Sequence, residues 1–245
     1  MYRSILFLLA SLLIFSGCSN DNSIQVIIGN NLFPLSTGNK LEYNMYDLDS
    51  SFTKIPDTDK KFTREIGSPV YIDGFNAYPV YETTTKDNSV ISRDTTYVHK
   101  TADDAIIKYY LKVVLPITDN SNITFNKWVN VFQRGSSIES YYTIIDTTVT
   151  VQTTLSGKLY PVPLNIHIQN IIFNEETVSV PANTNGYKSN KIEMYYEMRI
   201  NGVVLRSGTY YQLWLVEGIG PVKERKTFTE KMRGSNIELT AKTIK

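Results

Sequence analysis

The sequence predicts an all-β protein, built as an antiparallel curved sheet, an open barrel or a sandwich. Its 245 residues include 17 Tyr and 10 Phe beside many Thr and Val, and these residue types favour strands over helices. Apolar and polar residues alternate from Lys191 to Ile200, which is typical of a strand with one buried face. Asp73-Gly74 and Asn201-Gly202 are tight-turn dipeptides, and each lies between two strand-like runs. We therefore expect antiparallel hairpins to be the unit of the fold.

Ahead of this sheet-forming region, residues 1–17 have the pattern of a cleaved secretion signal. Arg3 forms a short positive segment, an apolar run starts at Ile5, and Gly17 precedes Cys18, the only cysteine of the chain. This order indicates a lipoprotein signal peptide, so we expect the mature chain to begin at Cys18 and to carry acyl chains there. A transmembrane helix is one alternative, but Ser11 interrupts the apolar run and polar residues follow it at once. A cleaved signal with a free thiol is the other alternative, and it would leave a reactive cysteine in a secreted protein.

The expected acylation also predicts a location. One acyl chain binds a bilayer only marginally, whereas two or more hold a protein there stably, so we expect permanent attachment to the membrane through Cys18. Ser19 after the cysteine resembles the sorting pattern of outer-membrane lipoproteins. We therefore predict a lipid-anchored protein of the cell outer membrane, and the side that it faces stays open.

Composition bounds the organisation and the partners of the mature chain. Residues 18–31 form the lipidated cysteine and a polar tether, and residues 32–245 show no composition break, so we predict a single antiparallel β domain there. Loss of Arg3 with the signal reduces the 25 basic residues to 24, which equals the 24 acidic ones. A neutral chain is not expected to bind nucleic acid. Because no second cysteine exists, disulfides and thiolate metal sites are excluded.

Alternation and turn residues also locate the individual strands. In chain order, we predict strands within residues 41–45, 62–66, 77–85, 90–100, 105–115, 124–133, 140–155, 158–169, 178–180, 191–200, 203–217, 222–229 and 237–242. Pro79 suggests that its strand lies at an edge of the sheet, because proline cannot donate to a ladder. Residues 105–115 also fit helical spacing, with Thr101 as a cap, but their Ile, Val and Tyr content favours a strand.

Three segments resemble those of a broad group of uncharacterised secreted bacterial lipoproteins. Phe33-Pro34-Leu35 with Gly38-Asn39 and Tyr43 resembles their "FPL-x-x-GN-x-W-x-Y" opening, although Leu41 stands where Trp is usual. The segments 176–182 and 214–223 are similar to their "T-V-x-VPAGTF" and "W-x-A-x-GVG-x-V-K" stretches. The group has no established activity. The resemblance therefore implies a fold class and an envelope location, and it carries over no catalytic residues.

No pattern of catalytic or metal-binding residues stands out in the sequence. His99 and His167 each lack a second histidine at metal-ligand spacing, and we expect both to face solvent. The acidic loop from Asp47 to Asp59 lacks the glycine and glutamate of an EF-hand. We therefore predict no catalytic residue, no metal, no cofactor and no enzymatic activity. The chain has two tryptophans, Trp128 and Trp214, and either could stack on sugars. A buried cross-strand role is the alternative for both.

The sequence leaves three functions open. Inward-facing Ile, Met and Tyr side chains on residues 192–200 favour a non-catalytic binding module for an apolar or lipidic ligand. The first alternative is a surface module that contacts a glycan or an envelope protein. The second is a hydrolase whose carboxylates meet across neighbouring strands.

Overall fold

A computed structural model describes residues 31–103, 105–118, 121–136, 138–155, 158–227 and 234–245. Residues 1–30, which include the predicted signal peptide and Cys18, lie outside the described residues. The strands are β1 Lys40–Leu48, β2 Lys60–Ile66, β3 Val70–Ile72, β4 Phe75–Lys86, β5 Ser89–Lys100, β6 Ile106–Thr118, β7 Ser121–Gln133, β8 Tyr141–Leu155, β9 Lys158–Val180, β10 Asn183–Ile200, β11 Val203–Val216, β12 Gly220–Lys226 and β13 Gly234–Thr243. Within these ranges the protein is all-β, as predicted, and no helix is long and apolar enough to cross a membrane.

The strands form one antiparallel sheet that curves into a nearly closed barrel. Their order along the sheet is β7-β6-β5-β4-β2-β1-β13-β12-β11-β10-β9-β8, and β3 pairs with β4 beside this path. Side chains join the two ends of the path. The Asn170 amide on β9 donates to the carbonyls of Asn130 and Val131 on β7, both at 2.9 Å, and the Tyr142 hydroxyl on β8 donates to Val131 at 3.3 Å. Of the three predicted architectures, the structure is the barrel.

Apolar side chains from most of the strands fill the interior. On β10, Ile192, Met194, Tyr196 and Met198 are all buried, so the predicted alternation is confirmed. Ile166 and Ile168 on β9 meet them from the neighbouring strand. Burying a side chain of this size contributes about 1.5–3 kcal/mol each. The packed interior therefore stabilises the barrel through long-range contacts between strands.

Residues 105–115 belong to a strand. β6 pairs with β5 on one side and with β7 on the other, and Ile107 and Tyr109 are buried while Lys108 and Tyr110 are not. As a strand, β6 supplies hydrogen-bond partners to the backbones of both β5 and β7. A helix over the same residues would leave those two strands without a partner. The strand interpretation of this ambiguous segment is confirmed.

Pro79 corrects the expectation of an edge strand. β4 is paired along both of its edges. One edge pairs with β5 along most of its length, and the other edge pairs first with β3 and then with β2. Pro79 lies between these last two partners, because pairing with β3 ends at Ala77 and pairing with β2 begins at Val80. The missing N–H therefore falls at a gap in the ladder, where no strand requires it, and the Pro79 carbonyl accepts from Gly67 N–H at 2.8 Å.

The hairpin turns divide the barrel into two ends. Neighbouring strands run in opposite directions, so turns alternate between ends. One end, here called the N-terminal end, carries Asn31 and the turns 67–69, 181–182 and 217–219. The other end, here called the far rim, carries the loop 49–59 and the turns 87–88 and 201–202.

Candidate functional site

A charged cluster lies inside the barrel, between strands β2, β4 and β12. Arg64 on β2 donates from Nε to Glu82 on β4 at 2.7 Å and from Nη2 to Glu224 Oε2 on β12 at 3.1 Å. A further bond from Nη1 to Glu224 Oε1 makes the second pair bidentate. The side chain of Glu224 is fully buried and that of Arg64 is 8% exposed. The interior therefore holds one positive and two negative charges in fixed positions.

The charges of this cluster stabilise one another. Burial alone would raise the pKa of Glu224, but the adjacent Arg64 guanidinium outweighs burial and holds that pKa below its ordinary value. Burial would likewise lower the pKa of Arg64, while Glu224 and Glu82 raise it well above its ordinary value. Both partners therefore stay ionised at neutral pH.

Phenols surround this cluster and close a small cavity. Burial raises the pKa of Tyr43, Tyr109 and Tyr211, and the Tyr43 hydroxyl donates to the Pro221 carbonyl at 2.8 Å. The cavity measures about 80 Å³, and its lining includes Arg64, Glu82, Tyr109, Tyr211, Glu224 and Lys226. That volume has room for a few waters. It is well below the roughly 300–1,000 Å³ of typical small-molecule sites.

The cluster suits fixed charges better than proton transfer. A general acid at neutral pH needs a carboxyl group whose pKa is raised, whereas the pKa of Glu224 is lowered. Glu82, the second carboxylate, is also bound to Arg64 and accepts from Thr96 at 3.4 Å. The expected alternative of carboxylates meeting across strands is thus realised in space, but both carboxylates are bound to the same Arg64 guanidinium.

The inward direction of these three side chains was present in the sequence. Arg64 stands two residues from Phe62 and Ile66, Glu82 two residues from Val80, and Glu224 two residues from Val222. Residues two apart share a face of a strand, and these apolar neighbours are all buried. A charge on an apolar face is therefore the sequence signal that indicates a buried pair.

Residues of the segments 33–43, 176–182 and 214–223 make structural contacts at the N-terminal end. The Gly218 N–H donates to the Asn31 carbonyl at 2.9 Å, and the Asn39 amide donates to the Pro34 carbonyl at 2.7 Å. A Cβ on Gly220 would lie 2.5 Å from the ring of Phe33, so only glycine allows that ring to pack here. The Ala182 N–H donates to Leu239 at 2.9 Å. These segments therefore have a structural role, which is to close this end of the barrel.

The histidines lie on the outer wall, as expected. His99 and His167 alternate with the buried residues Val98, Ile166 and Ile168, and the His99 Nδ1 lies 2.7 Å from the Asn76 carbonyl. Among the described residues, no group of three His, Cys, Asp or Glu side chains is arranged to hold a metal.

The two tryptophans differ in exposure, and neither presents a free stacking face. Trp214 is buried, donates from its indole to Glu176, and has the ammonium groups of Lys191 and Lys223 within 5.7 Å of its ring. Trp128 is half-buried and packs against Phe75 and Tyr110, with ring centroids 5.1 and 5.3 Å apart. Burial is therefore confirmed for Trp214, whereas Trp128 packs across the strands without being fully buried.

Aromatic rings continue around Trp128 on the outer wall near the N-terminal end. Phe75 lies 5.0 Å from the ring of His99, Tyr97 lies 6.4 Å from Tyr110, and the Lys108 ammonium is 4.3 Å above Phe75. We call this set the outer aromatic cluster; its members are Phe75, Tyr97, His99, Tyr110 and Trp128.

The far rim has a different surface. Val203, Val204 and Leu205, next to the Asn201-Gly202 turn, are exposed, and Val203 is 65% exposed. Val90 and Ile91 after the turn at 87–88, and Phe52 in the loop 49–59, are exposed as well. The described part of this end therefore carries several exposed aliphatic side chains beside the charged residues of the loop 49–59.

Comparison with known proteins shows the fold. No protein-family model matches this chain, and no curated protein sequence matches it. A crystal structure of a candidate lipoprotein from Parabacteroides distasonis ATCC 8503 is similar, with a TM-score of 0.51 and 10% identity over 88% of this chain and 100% of that chain. A candidate exported protein with a YmcC-like fold from Bacteroides fragilis NCTC 9343 has a TM-score of 0.48 and 11% identity over 86% of this chain and 98% of that chain. At 10% identity, what this chain shares with the Parabacteroides protein is its all-β fold.

Proposed function

We propose that this protein is a lipoprotein of the outer membrane, held there by acyl chains on Cys18, and that it acts as a binding module without catalysis. The observation that carries the proposal is the order of Arg3, an apolar run, Gly17 and the single Cys18. The fold that the chain shares with a candidate lipoprotein supports it. The Arg64-bound carboxylates favour a non-catalytic role, because neither is placed as a free acid or base.

The outer surface is the better candidate for the binding site. Ile192, Met194, Tyr196 and Met198 pack into the core, and the cavity of about 80 Å³ is lined by charged and phenolic groups. The described interior therefore gives little support to a carrier of an apolar or lipidic ligand. The surface alternative, a module that contacts a glycan or an envelope protein, needs no interior space.

Of these two partners, we favour an envelope protein bound at the far rim. Exposed Val203, Val204 and Leu205 lie together on one projecting hairpin, and Val90 and Ile91 lie on another. Exposed aliphatic patches mark protein interfaces, whereas sugars stack on aromatic faces. A partner at this end would meet the part of the barrel opposite to Asn31, where the described residues begin.

Mass spectrometry of the mature protein tests the anchor. We expect an N-terminal peptide that begins at Cys18 and carries acyl chains, and a Cys18→Ser variant that no longer fractionates with membranes. An unmodified thiol at Cys18, or residues 1–17 still attached, would refute the anchor.

Site-specific photo-crosslinking in intact cells tests the binding surface. A photoreactive amino acid at Val203 should give one discrete adduct, which Leu205→Asp should reduce at least tenfold. The matched control is the same amino acid at Tyr81, which is 50% exposed on the outer wall and packs beside Gly67 at the N-terminal end, opposite to the far rim. Equal adducts at the two positions, or none at Val203, would count against the far rim.

A further inference from the structure

The described chain begins at the N-terminal end of the barrel, and this fixes where the tether leaves. The Lys100 ammonium lies 3.1 Å from the side-chain oxygen of Asn31, and Leu32 and Phe33 are buried next to it in sequence. Residues 19–31 span at most about 45 Å at 3.3–3.6 Å per residue. An acylated Cys18 therefore keeps this end within about 45 Å of a bilayer, whereas the far rim can lie farther away by the height of the barrel.

An exposed hairpin lies beside this point. The short strand β3 and the start of β4 form it around the Asp73-Gly74 turn, and the His99 ring next to Lys100 contacts the Asn76 carbonyl at its base. Tyr71 at its centre is 74% exposed and Val70 is 41% exposed. Tyr71 is the most exposed large hydrophobic side chain of the described residues.

The outer aromatic cluster continues this surface onto the wall. Phe75 follows the hairpin turn directly, and Trp128 and Tyr110 lie next to it on β7 and β6. Tyrosine and tryptophan are enriched where a membrane meets water, because each has an apolar ring and a polar group. Lys108 above Phe75 adds a cation that suits anionic headgroups.

We propose that the N-terminal end of the barrel rests on the lipid headgroups, with Tyr71 inserted at the interface and the outer aromatic cluster beside it. This inference rests on the proposed acylation of Cys18. A short tether gives the hairpin a high effective concentration at the bilayer, so even a weak contact is populated. The barrel then stands with its far rim directed away from the membrane.

The single cysteine makes a direct test available. With Cys18 acylated, Tyr71→Cys introduces the only free thiol, and a nitroxide label there reports contact with water through its collisions with a nickel complex. The acylated full-length protein is placed in vesicles of phosphatidylethanolamine and phosphatidylglycerol, and it is compared with the Cys18→Ser, Tyr71→Cys double variant in buffer. Val203→Cys in the same two states is the matched control.

We expect nickel collisions at position 71 to fall at least threefold in the vesicles and those at position 203 to stay unchanged. If the protein is acylated and floats with the vesicles but position 71 stays fully accessible, the inference is wrong and the anchor stands. If the N-terminal peptide carries no acyl chain, the proposed function fails first and the inference fails with it.

Hydrogen exchange of the unsubstituted acylated protein provides a second measurement, independent of any substitution. Amides of residues 70–76 should exchange several-fold more slowly on vesicles than in the Cys18→Ser protein in buffer. Equal exchange in the two states would overturn the inference.

Discussion

Arg64 shows how one residue organises the interior of this barrel. It binds Glu82 and Glu224 while its guanidinium lies over the rings of Phe62 and Tyr43, at 5.0 and 5.6 Å. Taking these charges out of water is unfavourable, and their mutual attraction roughly offsets that loss. Removing one partner leaves the other charge buried and unpaired. The intact cluster therefore contributes little to the free energy of unfolding, whereas removing one of its members lowers that free energy strongly.

Loss of the Glu224 charge should destabilise the fold and change its pH dependence. Glu224→Gln keeps the shape and should lower the unfolding free energy at pH 7 by about 3–5 kcal/mol, because Arg64 loses its bidentate partner. The folded pKa of Glu224 lies below its ordinary value of 4.5, so its contribution is present above pH 4.5 and is lost as the pH falls through the folded value. Urea denaturation between pH 3 and pH 7 measures both effects.

Glu42→Gln is the matched control for this prediction. Glu42 forms an ion pair with Lys40 at 2.6 Å, but its side chain is 46% exposed. Exposed pairs contribute about 0–1 kcal/mol. Equal losses from the two substitutions, or an unchanged pH dependence in Glu224→Gln, would contradict a special role for the buried pair.

Gly220 and Gly218 separate backbone strain from steric fit. Both glycines have a positive φ, 98° at Gly220 and 71° at Gly218. A Cβ added at Gly220 would collide with the ring of Phe33, whereas a Cβ added at Gly218 would have no atom within 4 Å. Gly218→Ala should cost about 1–2 kcal/mol for the backbone alone. Gly220→Ala should cost a further 1–3 kcal/mol or so for overpacking. Denaturation midpoints decide, and equal costs would mean that Phe33 moves aside freely.

At the scale of elements, the Asn170 amide makes two of the hydrogen bonds that close the barrel. Asn170 lies on β9, yet it donates to two carbonyls of β7, the strand at the opposite end of the sheet path. It also donates to the Tyr142 hydroxyl at 3.1 Å, and burial raises the pKa of Tyr142 to about 12. On the side of β7 that does not pair with β6, a side chain therefore takes the place of a backbone ladder.

Asn170→Ala should loosen this closure. The Asn130 carbonyl would lose the Asn170 donor and the Val131 carbonyl would keep only the Tyr142 hydroxyl, and an unsatisfied carbonyl costs about 1–3 kcal/mol when no water replaces the donor. Hydrogen exchange should accelerate in β7 and stay unchanged in β1, which is paired on both sides. Asn165→Ala on the same strand is the control, since Asn165 is exposed and bonds Thr148 at 2.9 Å. Similar exchange in both variants would show that Asn170 does not hold β7.

The elements also show what the sequence could predict. The strand over residues 191–200 and its Asn201-Gly202 turn were predictable, because the alternation and the left-handed turn residues are local properties. The pairing of β1 with β13 was not, because Tyr43 and Leu239 lie near opposite ends of the chain and many strands share their pattern. The inward direction of Arg64 was readable, but its partners on β4 and β12 depend on that long-range pairing.

At the scale of the whole molecule, the pairing of β1 with β13 joins the two halves of the chain. Strands β1 to β7 occupy one side of the sheet path and β8 to β13 the other, and β1 and β13 are adjacent where the sides meet. Arg64 and Glu224 cross the same boundary through the interior. The halves therefore share both a ladder and a buried ion pair, and the single domain over residues 32–245 stays a prediction.

The two tryptophans allow a test of this prediction, because Trp128 lies in the first half and Trp214 in the second. Trp128→Phe leaves a reporter on β11, and Trp214→Phe leaves one on β7. If the sheet unfolds as one unit, the tryptophan fluorescence of each variant should change at the same urea concentration as its circular dichroism. A variant in which the two probes disagree by more than the experimental error would show that the halves unfold separately. Adding Glu224→Gln should move both signals together, since the broken pair belongs to both halves.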